Sequence, residues 1–262
     1  MRLTSIGLCL FVTLSLASVA HAQAQRTESC RTLPTHDAVR KALADAQAQP
    51  NGGLGFHMWA TLVDRDGTVC VVAFTGSDRG DQWPGSRVIS AQKANTANAF
   101  SLPKFALSTA NLYTAVQDGQ SLFGLQHSNP VDTSVAYGGN GAQFGTATDP
   151  MVGHRVGGVN VFGGGLGLYD STGRLLGGLG VSGDTSCADH IIAWKVRHAL
   201  NLDNVPAGVA GPAKDNIVHD LAVDPATGHT TSKSGWGHPA CSADSTAIAN
   251  KLPTTHPTGA AQ

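Results

Sequence analysis

The residues best suited to chemistry in this chain are histidines, a lysine and an aspartate. The chain has 11 histidines, and none of them follows a compact metal-binding pattern such as H-E-x-x-H. His127 lies within a long segment without hydrophobic periodicity and His154 follows it, and we assign the two as candidate metal ligands. The segment, residues 119–150, is typical of a binding loop or lid, because structureless loops of this length are uncommon inside compact domains.

Lys93 and Thr96 lie on one face of a helix predicted over residues 86–100, and we assign them as candidate ligand-binding residues. Lys93 has two interpretations, a surface lysine whose stem packs along the helix or a cation directed at a ligand carboxylate. Asp189 and His190 lie in the first turn of a second helix, predicted over residues 187–202, and we assign them as candidate catalytic groups that transfer protons. Asp189 also fits a plain capping carboxylate in the pattern Ser-x-x-Asp.

Several other kinds of chemistry find no support in the sequence. No G-x-S-x-G motif marks a nucleophilic serine. The run Gly163-Gly164-Gly165 is not followed by Gly-Lys-Ser/Thr, which argues against a phosphate-binding loop. The formal net charge of −1 provides no electrostatic footprint for nucleic acid or an anionic membrane. We therefore expect a small-molecule ligand, with no nucleic-acid partner and no membrane insertion.

Two hairpins must position these side chains. The first has strands predicted over residues 56–63 and 68–74, joined by an Asp-Arg-Asp-Gly turn. The second turns at Asp-Ser-Thr-Gly, residues 170–173, and continues into a glycine-rich strand. A further strand is predicted over residues 156–162. Short turns join antiparallel strands, so the pattern predicts an α+β fold with a mainly antiparallel sheet flanked by helices.

The chain divides into three predicted regions. Residues 1–22 are typical of a secretory signal, with a basic start, an apolar stretch and an Ala-His-Ala cleavage site. Residues 34–202 form one predicted domain, and residues 203–262 are a Gly/Pro/Thr/Ser-rich extension that we interpret as an extended tail. We therefore expect a periplasmic or secreted protein.

Four cysteines remain after the signal, which in an oxidising compartment indicates up to two disulfides. They are Cys30, Cys70, Cys187 and Cys241. Three pairings are open, and we favour a bond from Cys241 that attaches the extension to the body.

Three blocks of sequence together resemble the GlcG/HbpS family of haem-binding proteins, to which haem degradation is attributed. They are LVDRDG at residues 62–67, AQKANTA at 91–97, and FGGGL at 162–166 continuing through GGLGVSG at 177–183. The resemblance implies a profilin-like antiparallel sheet of about five strands flanked by helices, and a homo-oligomer. The long loop and the C-terminal extension depart from the family pattern.

The resemblance implies haem as the cofactor and a small planar or carboxylate ligand as the partner. In a haem-binding protein, Lys93 would pair with a propionate, and His127, His154, Tyr137 or Tyr169 would approach the iron. The alternative is an enzyme acting on an organic acid, in which Lys93 binds the carboxylate and Asp189 or His190 handles protons. A third possibility is an oligomerising module without a ligand.

Overall fold

The computed structural model of the chain describes residues 28–228 and 230–259. The predicted signal lies outside these residues. The helices in the described part are α1 His36–Gln47, α2 Ser86–Ala99, α3 Thr133–Ala136, α4 Ser186–Ala199 and α5 Ala243–Thr255. The strands are β1 Trp59–Asp64, β2 Val69–Phe74, β3 Gly165–Tyr169, β4 Leu175–Ser182, β5 Leu221–Val223 and β6 Thr230–Ser232. None of the described helices is long and apolar enough to cross a membrane.

Strands β1 to β4 form one antiparallel sheet in the order β2-β1-β4-β3, and β5 pairs with β6 in a separate ribbon. The α+β class and the antiparallel sheet predicted from the sequence are confirmed. The main sheet has four strands rather than about five, because residues 156–162 make only an isolated bridge from Gly157 to Val131. Both hairpins form where the turn residues predict them.

Helices cover both faces of the main sheet. On one face, α1 and α4 contribute Leu43 and Ile191 to the larger hydrophobic cluster. On the other face, α2 packs against β4 so closely that a Cβ atom at Gly180 would overlap the carbonyl oxygen of Ser90. The glycines of β4 are therefore required for the close approach of α2 to the sheet.

The C-terminal extension is folded, contrary to the extended tail expected from its composition. Helix α5 packs on α4 and buries Ala249 and Leu252 in the same core as α1. Arg197 of α4 donates to Asp215 at 2.6 and 2.9 Å, and both side chains are fully buried. The extension therefore completes the core beyond the end of α4.

Two disulfides are present, Cys30–Cys70 and Cys187–Cys241. The second confirms the prediction that Cys241 attaches the extension to the body. Cys30, Cys70 and Cys187 are buried, whereas Cys241 is exposed.

Candidate functional site

Two of the predicted site residues, Lys93 and Asp189, form a completely buried ion pair. Lys93 Nζ donates to Asp189 Oδ2 at 2.6 Å and to the carbonyl oxygen of Val181 at 3.0 Å. The ring of Phe162 lies 4.6 Å from the same ammonium group. The other carboxylate oxygen of Asp189 accepts from the backbone N–H of Asp184 at 2.9 Å. Lys93 is therefore not a surface lysine, and its charge is satisfied within the protein.

Burial disfavours the charged form of each partner in this pair. It lowers the pKa of Lys93, and the neighbouring carboxylate opposes that effect. It raises the pKa of Asp189 to about 6, again against the opposing effect of the partner charge. The pair joins a side chain of α2 to a side chain of α4 and lies beneath the Gly163–Gly165 loop. It therefore holds α2, α4 and the glycine-rich hairpin together.

Asp189 is not the capping carboxylate of a Ser-x-x-Asp box. The N-cap of α4 is Thr185, whose side chain accepts from the N–H of Ala188, and Ser186 is already the first helical residue. The carboxylate of Asp189 is directed at Lys93 instead, 96 residues earlier in the chain.

Thr96 and His190 are also buried, but each has a different set of neighbours. The Thr96 hydroxyl donates to the carbonyl oxygen of Gln92 at 2.8 Å and accepts from the N–H of Asn160 at 3.0 Å. His190 Nε2 lies 3.2 Å from Asn216 Oδ1 and 3.1 Å from the backbone nitrogen of Ile217. Burial lowers the pKa of His190 to about 3. Both residues hold segments of chain in place.

His127 and His154 are both exposed. In the described part of the chain, only Cys30, Asp64 and Cys70 form a group of three or more potential ligands close enough for one metal ion. The two cysteines of that group are joined in a disulfide. Neither predicted histidine therefore belongs to a preformed metal site among the described residues.

A histidine of the extension, His238, covers the Gly163–Gly165 loop. Its Nε2 accepts from the N–H of Gly163 at 3.3 Å, and its Nδ1 donates to the carbonyl oxygen of Pro239 at 2.8 Å. The ring of Tyr113 packs against it with centroids 5.2 Å apart. Burial lowers the pKa of His238 to about 4. The extension therefore closes the molecule over the α4 face.

An open cleft of about 440 Å³ lies at the α2 face, away from the extension. We call it the aromatic cleft. It is lined by Trp59, Asp78, Arg79, Gly80, Pro84, Gly85, Arg87, Val88, Tyr137 and Phe144. Its walls are mainly apolar, its size is ordinary for a small-molecule site, and Tyr137 is 66% exposed at its edge. The cleft is thus suited by size and lining to a small, largely apolar ligand.

A buried ion pair anchors the long loop to α2 and so builds the aromatic cleft. Arg87 of α2 donates through Nε and Nη2 to the carboxylate of Asp149, the former at 2.8 Å, and through Nη1 to the carbonyl oxygen of Ala136 at 2.9 Å. Its guanidinium also lies 3.7 Å from the centroid of the Phe144 ring. The walls contributed by the loop are therefore fixed before any ligand arrives.

Arg79 supplies the exposed positive charge of the aromatic cleft. Its nearest carboxylate, Asp78, lies 4.0 Å away, and the two side chains are 51% and 69% exposed. An exposed pair at this distance contributes little. The guanidinium of Arg79 is therefore available to a ligand carboxylate, with bidentate geometry as the favoured arrangement.

A larger depression of about 550 Å³ lies along α5, but its lining differs in kind. It consists of Ala240, Cys241, Ser242, Ala243, Thr246, Ala247 and Asn250. It has neither an aromatic wall nor a cation. The aromatic cleft is therefore the better candidate for recognising a ligand.

The sequence predicts part of this site, the long loop and Tyr137, but not Arg79, Arg87 or Phe144. Arg79 lies in a polar loop where charge is commonplace, and the partner of Arg87 is 62 residues away. The available signal was the Trp-Pro-Gly sequence at residues 83–85, which places an aromatic and a turn directly before α2.

Comparison with known proteins assigns the chain to a family. The model of the HbpS-like family, described as haem degrading protein HbpS-like, matches residues 35–197. The chain belongs to the HbpS-like family. The match spans the main sheet, α1, α2 and almost all of α4. It ends before the extension. No curated protein matches the chain.

Solved structures show weaker likeness. A protein described as a PduOC:heme complex is 26% identical, with 65% of this chain and 96% of that chain covered and a TM-score of 0.45. Protein ORFY of Klebsiella pneumoniae is 23% identical over 64% and 90%, with a TM-score of 0.43. HbpS is 19% identical over 64% and 91%, with a TM-score of 0.42. The family match therefore carries the assignment.

Proposed function

We propose that this HbpS-like protein binds haem in the aromatic cleft. The observation that carries the proposal is the combination in one cleft of apolar aromatic walls and an available arginine. Haem is a flat apolar macrocycle with two carboxylate arms, and this lining is complementary to both parts. The description of the family as haem degrading supports the same ligand.

The residues of the aromatic cleft fit haem by type. Pro84 and Phe144 would contact the macrocycle, with the buried Trp59 and Val88 behind them, and Arg79 would hold a propionate. The carboxylate of Asp78 is the one unfavourable neighbour for a propionate, and its distance from Arg79 limits the competition. When bound, haem would supply an iron centre for redox chemistry. The protein's part is to exclude water from one face of the ring and to fix its orientation.

The ion pair of Lys93 and Asp189 does not serve this function in our proposal. Both side chains are at most 1% exposed, and the charge of each is compensated by the other. A ligand carboxylate would have to replace Asp189 in the interior, which would leave that group buried without its cation. We therefore place the propionate at Arg79 rather than at Lys93, and we propose no acid–base role for His190.

We also propose that the protein is exported. The two disulfides support this, because such bonds persist in oxidising compartments and are rare in the cytosol. The signal-like pattern of residues 1–22 supports it independently. Fractionation of the cells, followed by mass determination of the purified protein, tests export and cleavage after Ala22 together.

Titration of the purified protein with hemin tests the binding function. We expect the Soret band to shift and to saturate near one hemin per chain. Arg79→Glu should weaken binding by about tenfold or more, because it removes one charge-assisted bond and adds repulsion. Arg174→Glu is the matched control, since Arg174 is also exposed and lies beside an aspartate.

The titration distinguishes a failure of haem binding from a failure of the proposed location. Absence of any Soret shift would refute haem binding. A shift that both variants reproduce equally would leave haem binding in place and remove the aromatic cleft as its location.

A further inference from the structure

We propose that the phenol oxygen of Tyr137 is the protein ligand to the iron of haem held in the aromatic cleft. This inference rests on the proposed function and adds the identity of the ligating atom. Proteins ligate haem iron through His, Cys, Met or Tyr side chains. Tyr137 is the only residue of these four types in the lining of the cleft.

The other tyrosines are committed elsewhere. Tyr169 is buried, and its hydroxyl donates to the carbonyl oxygen of Leu102 at 2.8 Å. Tyr113 packs its ring against His238, beside the extension. By contrast, Tyr137 is 66% exposed, and its hydroxyl makes no hydrogen bond to the rest of the described chain. Of the three phenols, it alone is open to a ligand in the aromatic cleft.

The histidines do not line the aromatic cleft. His190 and His238 are buried on the α4 side. His57 is exposed on the segment leading into β1, where its Nδ1 lies 3.0 Å from the Thr75 hydroxyl. The preceding residue, Phe56, packs against Trp83 next to the cleft, so His57 is the alternative ligand that an experiment must separate from Tyr137.

Hydrogen bonds fix the backbone around Tyr137. Asp132 caps α3 by accepting from the N–H groups of Ser134 and Val135 at 2.9 and 3.3 Å. Tyr137 follows that helix directly, and its own N–H donates to the carbonyl oxygen of Thr133 at 3.2 Å. Arg87 holds the preceding carbonyl group. The phenol therefore projects from an anchored turn, as a preorganised ligand requires.

The next residue must be glycine for this turn to form. A Cβ atom at Gly138 would overlap the carbonyl oxygen of Ser134 in α3. The Tyr-Gly-Gly sequence that the loop carries at residues 137–139 thus has a structural reason. It ends α3 and turns the chain immediately after the proposed ligand.

The binding step is a simple exchange of ligands. On binding hemin, Tyr137 would lose its phenolic proton to water, and its phenolate oxygen would take the place of the water or chloride that hemin carries. The iron would keep its oxidation state. Because one proton is released, affinity should rise with pH, and an anionic ligand should favour ferric over ferrous iron.

The decisive experiment compares Tyr137→Phe with Tyr113→Phe in the full-length protein. Tyr137→Phe should lose the phenolate-to-iron charge-transfer band and the high-spin ferric electron paramagnetic signal typical of such a ligand. Its affinity for hemin should fall by at least about tenfold, the scale at which even groups outside the coordination shell act. Tyr113→Phe should leave both unchanged. Tyr137→His should recover affinity with an imidazole-type spectrum.

The possible failures are distinguishable. If the native protein does not bind hemin at all, the proposed function fails and the ligand assignment fails with it. If hemin binds and Tyr137→Phe keeps the native spectrum, haem binding stands and Tyr137 is refuted. Loss of the native spectrum in His57→Ala, with Tyr137→Phe unaffected, would assign the iron to the imidazole instead. Circular dichroism of each variant excludes unfolding as the cause.

Discussion

Acid should destabilise this protein through His238, the histidine of the extension that covers the Gly163–Gly165 loop. The ring is only 1% exposed. Because Nε2 accepts from Gly163 and Nδ1 donates to Pro239, the native ring is neutral, with its proton on Nδ1. Protonation of Nε2 would turn that acceptor into a donor facing the N–H of Gly163. Burial accordingly lowers the pKa of His238 to about 4.

The sign and size follow from proton linkage. An unfolded histidine binds its proton near pH 6.5, and native His238 binds it near pH 4. The neutral ring therefore contributes stability that is fully present above pH 6.5 and is lost as pH falls through 4. At about 1.36 kcal/mol per pH unit, the loss is roughly 3 kcal/mol. His190, with its pKa lowered to about 3, acts in the same direction.

The buried carboxyl of Asp189 acts in the opposite sense. Its pKa is raised to about 6, so the stability that it contributes is present at low pH and is lost as pH rises through 6. The pH dependence of the unfolding free energy of the native protein is consequently the sum of opposing contributions from several groups. The difference in unfolding free energy between the native protein and a His238 variant isolates the contribution of His238, because both proteins contain Asp189 and His190.

Urea denaturation followed by tryptophan fluorescence at pH 7, 6, 5 and 4 measures that difference. In His238→Gln, the side-chain oxygen can accept from Gly163 without titrating, while the bond to Pro239 is lost. We expect the variant to be about 1 kcal/mol less stable at pH 7 and more stable than the native protein at pH 4. The exposed control His127→Gln should follow the native profile. Parallel curves for the native protein and His238→Gln from pH 7 to 4 would refute the reasoning.

Three further experiments test the packing by substitution. Lys93→Met should cost about 3–5 kcal/mol of unfolding free energy in urea, because Asp189 loses its cation, and adding Asp189→Leu should recover most of it. If the double variant is no more stable than the single one, the cost comes from packing instead. Replacing Cys187 and Cys241 by serine should cost about 4 kcal/mol, since the disulfide spans a sequence separation of 54; an unchanged melting temperature would contradict this. Gly180→Ala should cost about 3 kcal/mol or more through overlap with α2, and a near-native melting curve would argue against that close packing.

The hairpins and helices were predictable because their signals are local. A threonine directly before a helix is a common N-cap, and Thr35 caps α1 in this way, accepting from the N–H of Ala38 at 3.4 Å. The Asp-x-x-Gly turns fix both hairpins, and hydrophobic spacing locates α2 and α4 to within a few residues. Lys93 and Asp189 were both singled out, each for its place on a helix. That they contact each other depends on how α2 and α4 cross the sheet, which no local pattern specifies.

The extension was mispredicted because its composition hides long-range partners. Gly, Pro, Thr and Ser indicate loops, yet the segment is held by Asp215 against Arg197 and by Asn216 between His190 and Ala249. Each of these bonds pairs a residue of the extension with one at least 18 positions away. Helix α5 even contains a proline, Pro253, in its last turn. A residue's partners, rather than its type, decide whether such a segment folds.

The folded extension also bears on where a ligand can bind. Arg197 and His190 of α4 would face solvent without it, and such polar residues on a helix would be natural candidates for a site. Asp215 and Asn216 form hydrogen bonds with those two side chains, and His238 covers the adjoining Gly163–Gly165 loop. A ligand that bound Arg197 or His190 would have to displace Asp215 or Asn216, and the hydrogen bonds that these residues already make would be lost. The extension contributes no residue to the lining of the aromatic cleft, and Arg79 there has only a distant, exposed carboxylate. The position of the extension therefore supports the aromatic cleft over the α4 face as the location of the proposed haem site.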